Sequence, residues 1–181
     1  MPGYAAFLRG VNLGRRRRVS GAELRTLFEQ LGFDHVATFR TSGNVVFAAQ
    51  EERAATMAAR IEGHLAEALG YEVAIFLRSD SEVRAIAEQR PFSPRAVDAS
   101  EGKLQVSMLS AKPAARARDR VLALATAEDK LAFGDRELYW LPSGSMRESA
   151  LDLKAIEDLL GPTTMRTKGT VELIAEKFFA D

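Results

Sequence analysis

The sequence predicts an α+β protein made of two ferredoxin-like subdomains in tandem, each a split βαβ plait, and three observations lead there. The first part of the chain reads as strand, helix, strand, strand, helix, strand. A polar stretch with two prolines, "RPFSPRAVDASEGK" at Arg90 to Lys103, then interrupts the pattern, and the second half repeats the plan without repeating the residues. The boundaries this implies are 1–78 for the first subdomain, 79–102 for a connecting helix and linker, and 103–181 for a second plait with an extra terminal helix.

Taken in order, Tyr4 to Leu8 is a short apolar strand. A helix follows, opened by the capping box Ser20/Glu23, carrying Leu24, Leu27, Phe28 and Leu31 on one face and stopped at Gly32. Val36 to Thr41 and Asn44 to Ala48 are β-rich runs joined at Ser42-Gly43 as a short hairpin. From about Glu51, Met57, Ile61, Leu65 and Leu69 recur every four residues up to Gly70, and Val73 to Leu77 closes the plait. Ser79 with Glu82 opens the connecting helix.

In the second half Leu104, Val106 and Met108 alternate with Gln105 and Ser107 as a half-buried strand, and a helix begins near Pro113. Leu131 to Phe133 and Glu137 to Leu141 flank the turn Gly134-Asp135, with Tyr139 and Trp140 facing opposite ways, one in the core and one partly exposed. Ser149 is the expected cap of a helix bearing Leu153, Ile156, Leu159 and Leu160, ended by Gly161-Pro162. "TTMRTK" is the expected last strand, after which Thr170 caps a helix with Leu173, Ile174 and Phe178 inward.

Composition narrows the chemistry. Among 181 residues there is no cysteine, which excludes disulfides, thiolate nucleophiles and cysteine-based zinc sites, and the two histidines are too far apart in sequence and too differently surrounded to suggest a metal site. No metal or cofactor is therefore expected. Twenty-five basic residues balance twenty-five acidic ones, without the excess of a dedicated nucleic-acid-binding domain. No segment has the length of a membrane span, and the N-terminus lacks a charged leader with a long apolar run, so a cytoplasmic protein without membrane contact is expected.

In a split plait the first two strands run the same way, so the end of the first strand, the start of the first helix and the hairpin after the second strand share one edge of the sheet. That edge gathers Arg9, Gly10, Asn12, Gly14, Arg15, Arg16, Arg17 and Arg18 and the helix N-terminus at Ser20-Gly21-Ala22 with Thr41, Ser42, Gly43 and Asn44. A helix N-terminus offers unpaired N–H groups, glycines allow close approach, and guanidinium groups bind phosphate oxygens, so the expected ligand is an anionic, phosphate-bearing small molecule. Arginine runs and turn glycines also occur in loops that only meet solvent, and that reading stands beside the first. "GVNLG" lacks the ending of a phosphate-binding Walker loop and is not a dinucleotide fingerprint. Ser143-Gly144-Ser145 lacks a partner histidine for nucleophilic catalysis. Near the C-terminus Arg166, Lys168 and the N–H groups after Thr170 would form a second electropositive helix entrance, and one composite pocket would serve both places more economically than two.

Three segments resemble a bacterial family, the domain of unknown function 1697 family: "RGVNLG" at Arg9 to Gly14, "TSGNVVF" at Thr41 to Phe47 and "TTMRTKGTVELIA" at Thr163 to Ala175. The resemblance spans nearly the whole chain and implies paired plait-like subdomains, with no established activity, substrate or cofactor. It marks Arg9, Gly10, Asn12, Gly14, Ser42, Gly43 and Asn44, then Arg166, Thr170 and Val171. Two departures stand out. Members commonly have a glycine and lysines where this chain has Arg15 to Arg18, and an Asn-Trp-Asn stretch where it has Thr167-Lys168-Gly169. The functional classes left open are binding of an anionic small ligand, weak sequence-indifferent nucleic-acid binding at the same edge, and an interaction module without a ligand. Catalysis and oligomeric state are not specified by the sequence.

Overall fold

A computed structural model describes residues 1–12, 14–41 and 43–180, and within them the chain is mixed α+β with two four-stranded antiparallel sheets. It divides into two compact units, one formed by Met1–Arg84 with Ile174–Asp181 and the other by Ala85–Leu173.

In the first unit β1 (Gly3–Arg9) leads to α1 (Gly21–Gln30), β2 (Asp34–Thr38), β3 (Asn44–Ala48), α2 (Ala54–Leu69) and β4 (Ala74–Ser79), and the sheet order is β2-β3-β1-β4. β1 pairs antiparallel with both neighbours, Phe7 lying opposite Asn44 on one side and Phe76 on the other. Leu24 and Phe28 of α1 and Met57, Ile61 and Leu65 of α2 pack on Tyr4, Ala6 and Leu8 of β1 and on Val45 and Phe47 of β3. Fully burying each such side chain stabilises the fold by about 1.5–3 kcal/mol. The Ser20/Glu23 box forms as expected, and α2 ends on Gly70 in the left-handed region, φ 76°.

Two elements differ from the sequence reading. β2 ends at Thr38 rather than Thr41, because Arg40 takes a left-handed conformation, φ 60°, and turns the chain out of the ladder; the connection is a longer loop instead of a two-residue hairpin. α2 begins at Ala54, three residues later than expected, with Arg53 as its uncapped N-terminus.

α3 (Asp80–Glu88) carries the chain from one unit to the other and has the expected box, Ser79 N donating to Glu82 Oε2 at 2.8 Å and Glu82 N to Ser79 Oγ at 3.2 Å. The linker contains a short helix, α4 (Pro94–Ala99), capped by Ser93.

The second unit continues with β5 (Gln105–Leu109), α5 (Ala115–Leu122), β6 (Asp129–Phe133), β7 (Glu137–Pro142), α6 (Leu153–Leu160), β8 (Thr163–Thr167) and α7 (Lys168–Phe178), in sheet order β6-β7-β5-β8. Its strand order repeats that of the first sheet. β5 is buried along its whole length rather than on one face, and the register sets Gln105 and Ser107, not Val106 and Met108, opposite Trp140 and Leu138 of the helix-covered core. Tyr139 and Trp140 are both buried, so neither is the partly exposed aromatic expected.

Both expected caps in this unit move. Asp152, not Ser149, caps α6 by accepting from Ala155 N, while Ser149 Oγ donates to Asp129. α7 starts at Lys168, and Thr167 Oγ1 accepts from Thr170 N at 3.3 Å, so Thr167 is the capping side chain and Thr170 sits in the first turn. Leu153 and Leu173 are exposed and Phe178 is only half-buried; in the first unit Ile174 and Ala175 of α7 and Phe179 just after it are the buried residues of this segment. Among the described residues no helix is long and apolar enough to cross a membrane.

Candidate functional site

The polarity of the strands brings the β1–α1 loop and the β2–β3 loop to the same edge of the first sheet. Leu8 N donates to Gly43 O at 2.8 Å, and Asn12 ties the loops together with both ends of its amide: Nδ2 donates to Thr41 O at 2.6 Å and Oδ1 accepts from Val19 N at 3.0 Å. Asn12 holds φ 57°, a conformation asparagine tolerates better than most residues. Gly43 has φ 77°, and a Cβ there would lie 2.5 Å from Val11 Cγ2, so the loops meet at a distance only glycine permits. Gly21 has the same close fit, its absent Cβ lying 2.7 Å from Thr38 Oγ1.

Between these loops opens a cleft of about 730 Å³ whose lining includes Asn12, Arg18, Ser20, Gly21, Arg40 and Thr41. Its floor is the N-terminus of α1. Ser20 N donates to Glu23 Oε2 at 2.7 Å and Glu23 N to Ser20 Oγ at 3.1 Å, and these bonds from the Ser20 backbone and side chain hold the Glu23 carboxyl below its ordinary pKa. Among the described residues the N–H groups of Gly21 and Ala22 have no protein partner, as the first turn of a helix leaves them. The charged lining groups are therefore Arg18 and Arg40 against Glu23, a local positive excess.

The remaining residues expected at this edge are placed as follows. Arg15 and Arg16 are exposed and stand outside the cleft lining, and the Arg17 guanidinium lies 5.1 Å from the centre of the Tyr71 ring. Arg9 is half-buried on β1 opposite Ala74. Gly10 and Gly14 supply left-handed turns, with φ 89° and 66°. Asn44 is 1% exposed and donates from Nδ2 to Phe39 O at 2.8 Å, pinning the hairpin rather than facing the cleft. Ser42 lies outside the described residues.

Arg166, Lys168 and Thr170 belong to the second unit. Arg166 is 8% exposed and donates to Thr164 Oγ1 at 2.9 Å and Met165 O at 2.8 Å; burial pulls its pKa down to about 10. Lys168 is buried, with Nζ on Ala87 O at 2.8 Å and on the Glu172 carboxylate. Thr170 Oγ1 is bonded to Thr167 Oγ1 at 2.8 Å.

The second unit also has a smaller cavity of about 280 Å³ lined by Thr126, Glu128, Asp129, Ser143 and Ser149 among others. Asp129, 2% exposed, accepts from Trp140 Nε1 at 2.8 Å, Ser149 Oγ at 2.7 Å and Thr126 Oγ1 at 2.8 Å. Ser143 Oγ donates to Glu128 Oε2 at 3.0 Å, so the first serine of the Ser143-Gly144-Ser145 segment is held by a carboxylate. Among the described residues no group of three or more His, Asp or Glu could hold a metal ion.

Arg40 and Thr38 are cleft residues that the sequence reading did not select, and the structure adds a neighbouring cluster. Phe39 and Phe178 meet edge-on, ring centres 6.1 Å apart at 82°, with Lys177 and Arg40 over the Phe39 ring at 5.8 and 5.3 Å. Arg40 adjoins "TSGNVVF" directly, so a wider reading of that motif would have included it; Phe39 and Phe178 are too far apart in sequence for any local pattern to pair them.

A family model described as "Protein of unknown function (DUF1697)" matches residues 1–139. The fold is similar to that of the conserved bacterial protein SP0830 from Streptococcus pneumoniae, with a TM-score of 0.74 and 22% identity over 97% of each chain. No curated protein matches the sequence.

Proposed function

Because the chain belongs to the family described as protein of unknown function DUF1697, a membership that specifies no reaction, we propose its function from its own edge cleft: binding of a phosphate-bearing or other anionic small ligand. The observation that carries this reading is the convergence of Arg18, Arg40 and the unpaired N–H groups of Gly21 and Ala22 on one open cleft. Glu23 works against it by occupying part of the helix terminus, and the two guanidinium groups outweigh its single charge. In this reading Asn12, Gly43 and Asn44 shape the cleft, and Arg166, Lys168 and Thr170 serve the second unit, since their donors already have partners. The strand orders 2-3-1-4 and 6-7-5-8 support a ferredoxin-like plait for each sheet. A cytoplasmic location is part of the same proposal.

Thermal unfolding with phosphate, sulfate, pyrophosphate and mononucleotides tests it. A ligand that binds only the folded state at a hundred times its Kd stabilises by about 2.7 kcal/mol, a readable rise in Tm. We expect at least one anion to raise Tm and the Arg18→Ser/Arg40→Ser double variant to lose the response. No shift with any anion, or an unchanged shift in the double variant, would remove the cleft as an anion site.

A further inference from the structure

We propose that the partner at this edge is single-stranded nucleic acid, its phosphates on the arginines of the β1–α1 and β2–β3 loops and a base on the Phe39–Phe178 pair. The proposal deepens the anion reading of the cleft and rests on it, but its own support comes from side chains that a small anion would not use. Arg15 and Arg16 project from the exposed loop outside the cleft, so positive charge continues past the volume one phosphate would fill. Thr38 and Arg40 line the cleft, while Phe39 between them turns to meet Phe178. Arg40 belongs to both places, lining the cleft with its guanidinium 5.3 Å from the Phe39 ring centre.

The aromatic pair is unlike a core contact. Both rings are only half-buried, and Lys177 stands 5.8 Å from one ring centre and 5.3 Å from the other. The rings are partly exposed and cations lie over their faces, so a base stacks here by displacing the long, mobile Lys177 side chain, whose charge then meets the adjoining phosphate. Inorganic polyphosphate would use the arginines and leave the rings idle. A duplex keeps its bases stacked inside and could not reach them. Contacts from arginines to phosphates carry no base information, so binding is sequence-indifferent and sensitive to salt.

The test is fluorescence anisotropy on the full chain with labelled twelve-residue dT and U strands, an abasic strand of equal charge, and a duplex of equal length. With Arg15, Arg16, Arg18 and Arg40 as phosphate contacts, log K should fall against log salt with a slope of about −3, and Arg15→Ser/Arg16→Ser should reduce that slope by about 1.4. The base-bearing strands should bind about 5- to 100-fold tighter than the abasic strand, and Phe39→Leu/Phe178→Leu should erase that margin, so that the variant binds base-bearing and abasic strands alike. Equal affinity for abasic and base-bearing strands overturns the proposal even where a small-anion shift shows the cleft reading intact; equal or tighter binding of the duplex overturns it too. Absence of both signals removes the two readings together. If the double leucine variant does not fold, the abasic comparison on the unaltered protein and the salt slope of the arginine variant decide.

Discussion

Asp129 is a buried carboxylate with three side-chain hydrogen bonds to lose on protonation. Burial raises its pKa, yet the hydrogen bonds from Ser149, Thr126 and Trp140 together outweigh that effect and leave the carboxyl below its ordinary value. A carboxyl with a lower pKa folded than unfolded, where it is about 3.9, adds stability that is fully present above the unfolded value and is lost as pH falls through the folded one. The unaltered protein should therefore lose stability between pH 5 and pH 3, and Asp129→Asn should lose less over that interval while starting about 1–3 kcal/mol lower at pH 5. Urea titrations followed by the emission of Trp140, the one tryptophan in the chain, read this directly because its indole N–H donates to the carboxylate in question. An equal pH dependence in both proteins would show that other groups govern the acid limb.

At the scale of single elements, the two loops at the cleft edge impose different demands on their glycines. Gly43→Ala meets a left-handed φ and two side chains, Val11 Cγ2 at 2.5 Å and Leu8 Cβ at 3.0 Å, whereas Gly14→Ala meets only a left-handed φ with nothing within 4 Å. Overpacking and backbone strain together should cost Gly43→Ala about 2–4 kcal/mol, and strain alone should cost Gly14→Ala about 1 kcal/mol. Urea unfolding followed by far-UV circular dichroism compares the two, and similar losses would refute the close-contact account. The same contrast explains what could be read in advance. The boxes at Ser20/Glu23 and Ser79/Glu82 are complete within four residues, so sequence alone places them. The caps at Asp152 and Thr167 were misread because neighbouring residues, Ser149 and Thr170, offer the same chemistry. The choice is made by distant partners: Ser149 is drawn to Asp129, and Thr167 stays in the ladder opposite Gln105 until the helix begins. At the cleft the glycines and the arginine run were legible as turn and charge signals, but the bond from Asn12 Nδ2 to the other loop depends on Thr41, twenty-nine residues away.

At the scale of the whole molecule, Trp140 reports on the second unit, while circular dichroism reports on both. Gly43→Ala weakens the first unit at a place remote in sequence from the tryptophan. We expect its dichroism to decline at lower urea than its Trp140 emission changes, where two probes of a single cooperative block would coincide. Coincident transitions in that variant would show that the units unfold as one. The repeated strand order was legible because it follows from the order and spacing of apolar runs. The closing of the first unit by residues from Ile174 onward was not, since nothing local in "LIAEKFF" names Gly3 or Arg84 as its neighbours, although Phe179 packs beside the first and its carbonyl accepts from the second at 3.0 Å. That closure sets an order in time. Synthesis runs from the N-terminus, so every residue of the second unit, through Leu173, has been made before the segment from Ile174 onward that completes the first. The unit begun earlier thus waits on the ribosome with a sheet still missing part of its cover, and the unit begun later is the first able to finish folding.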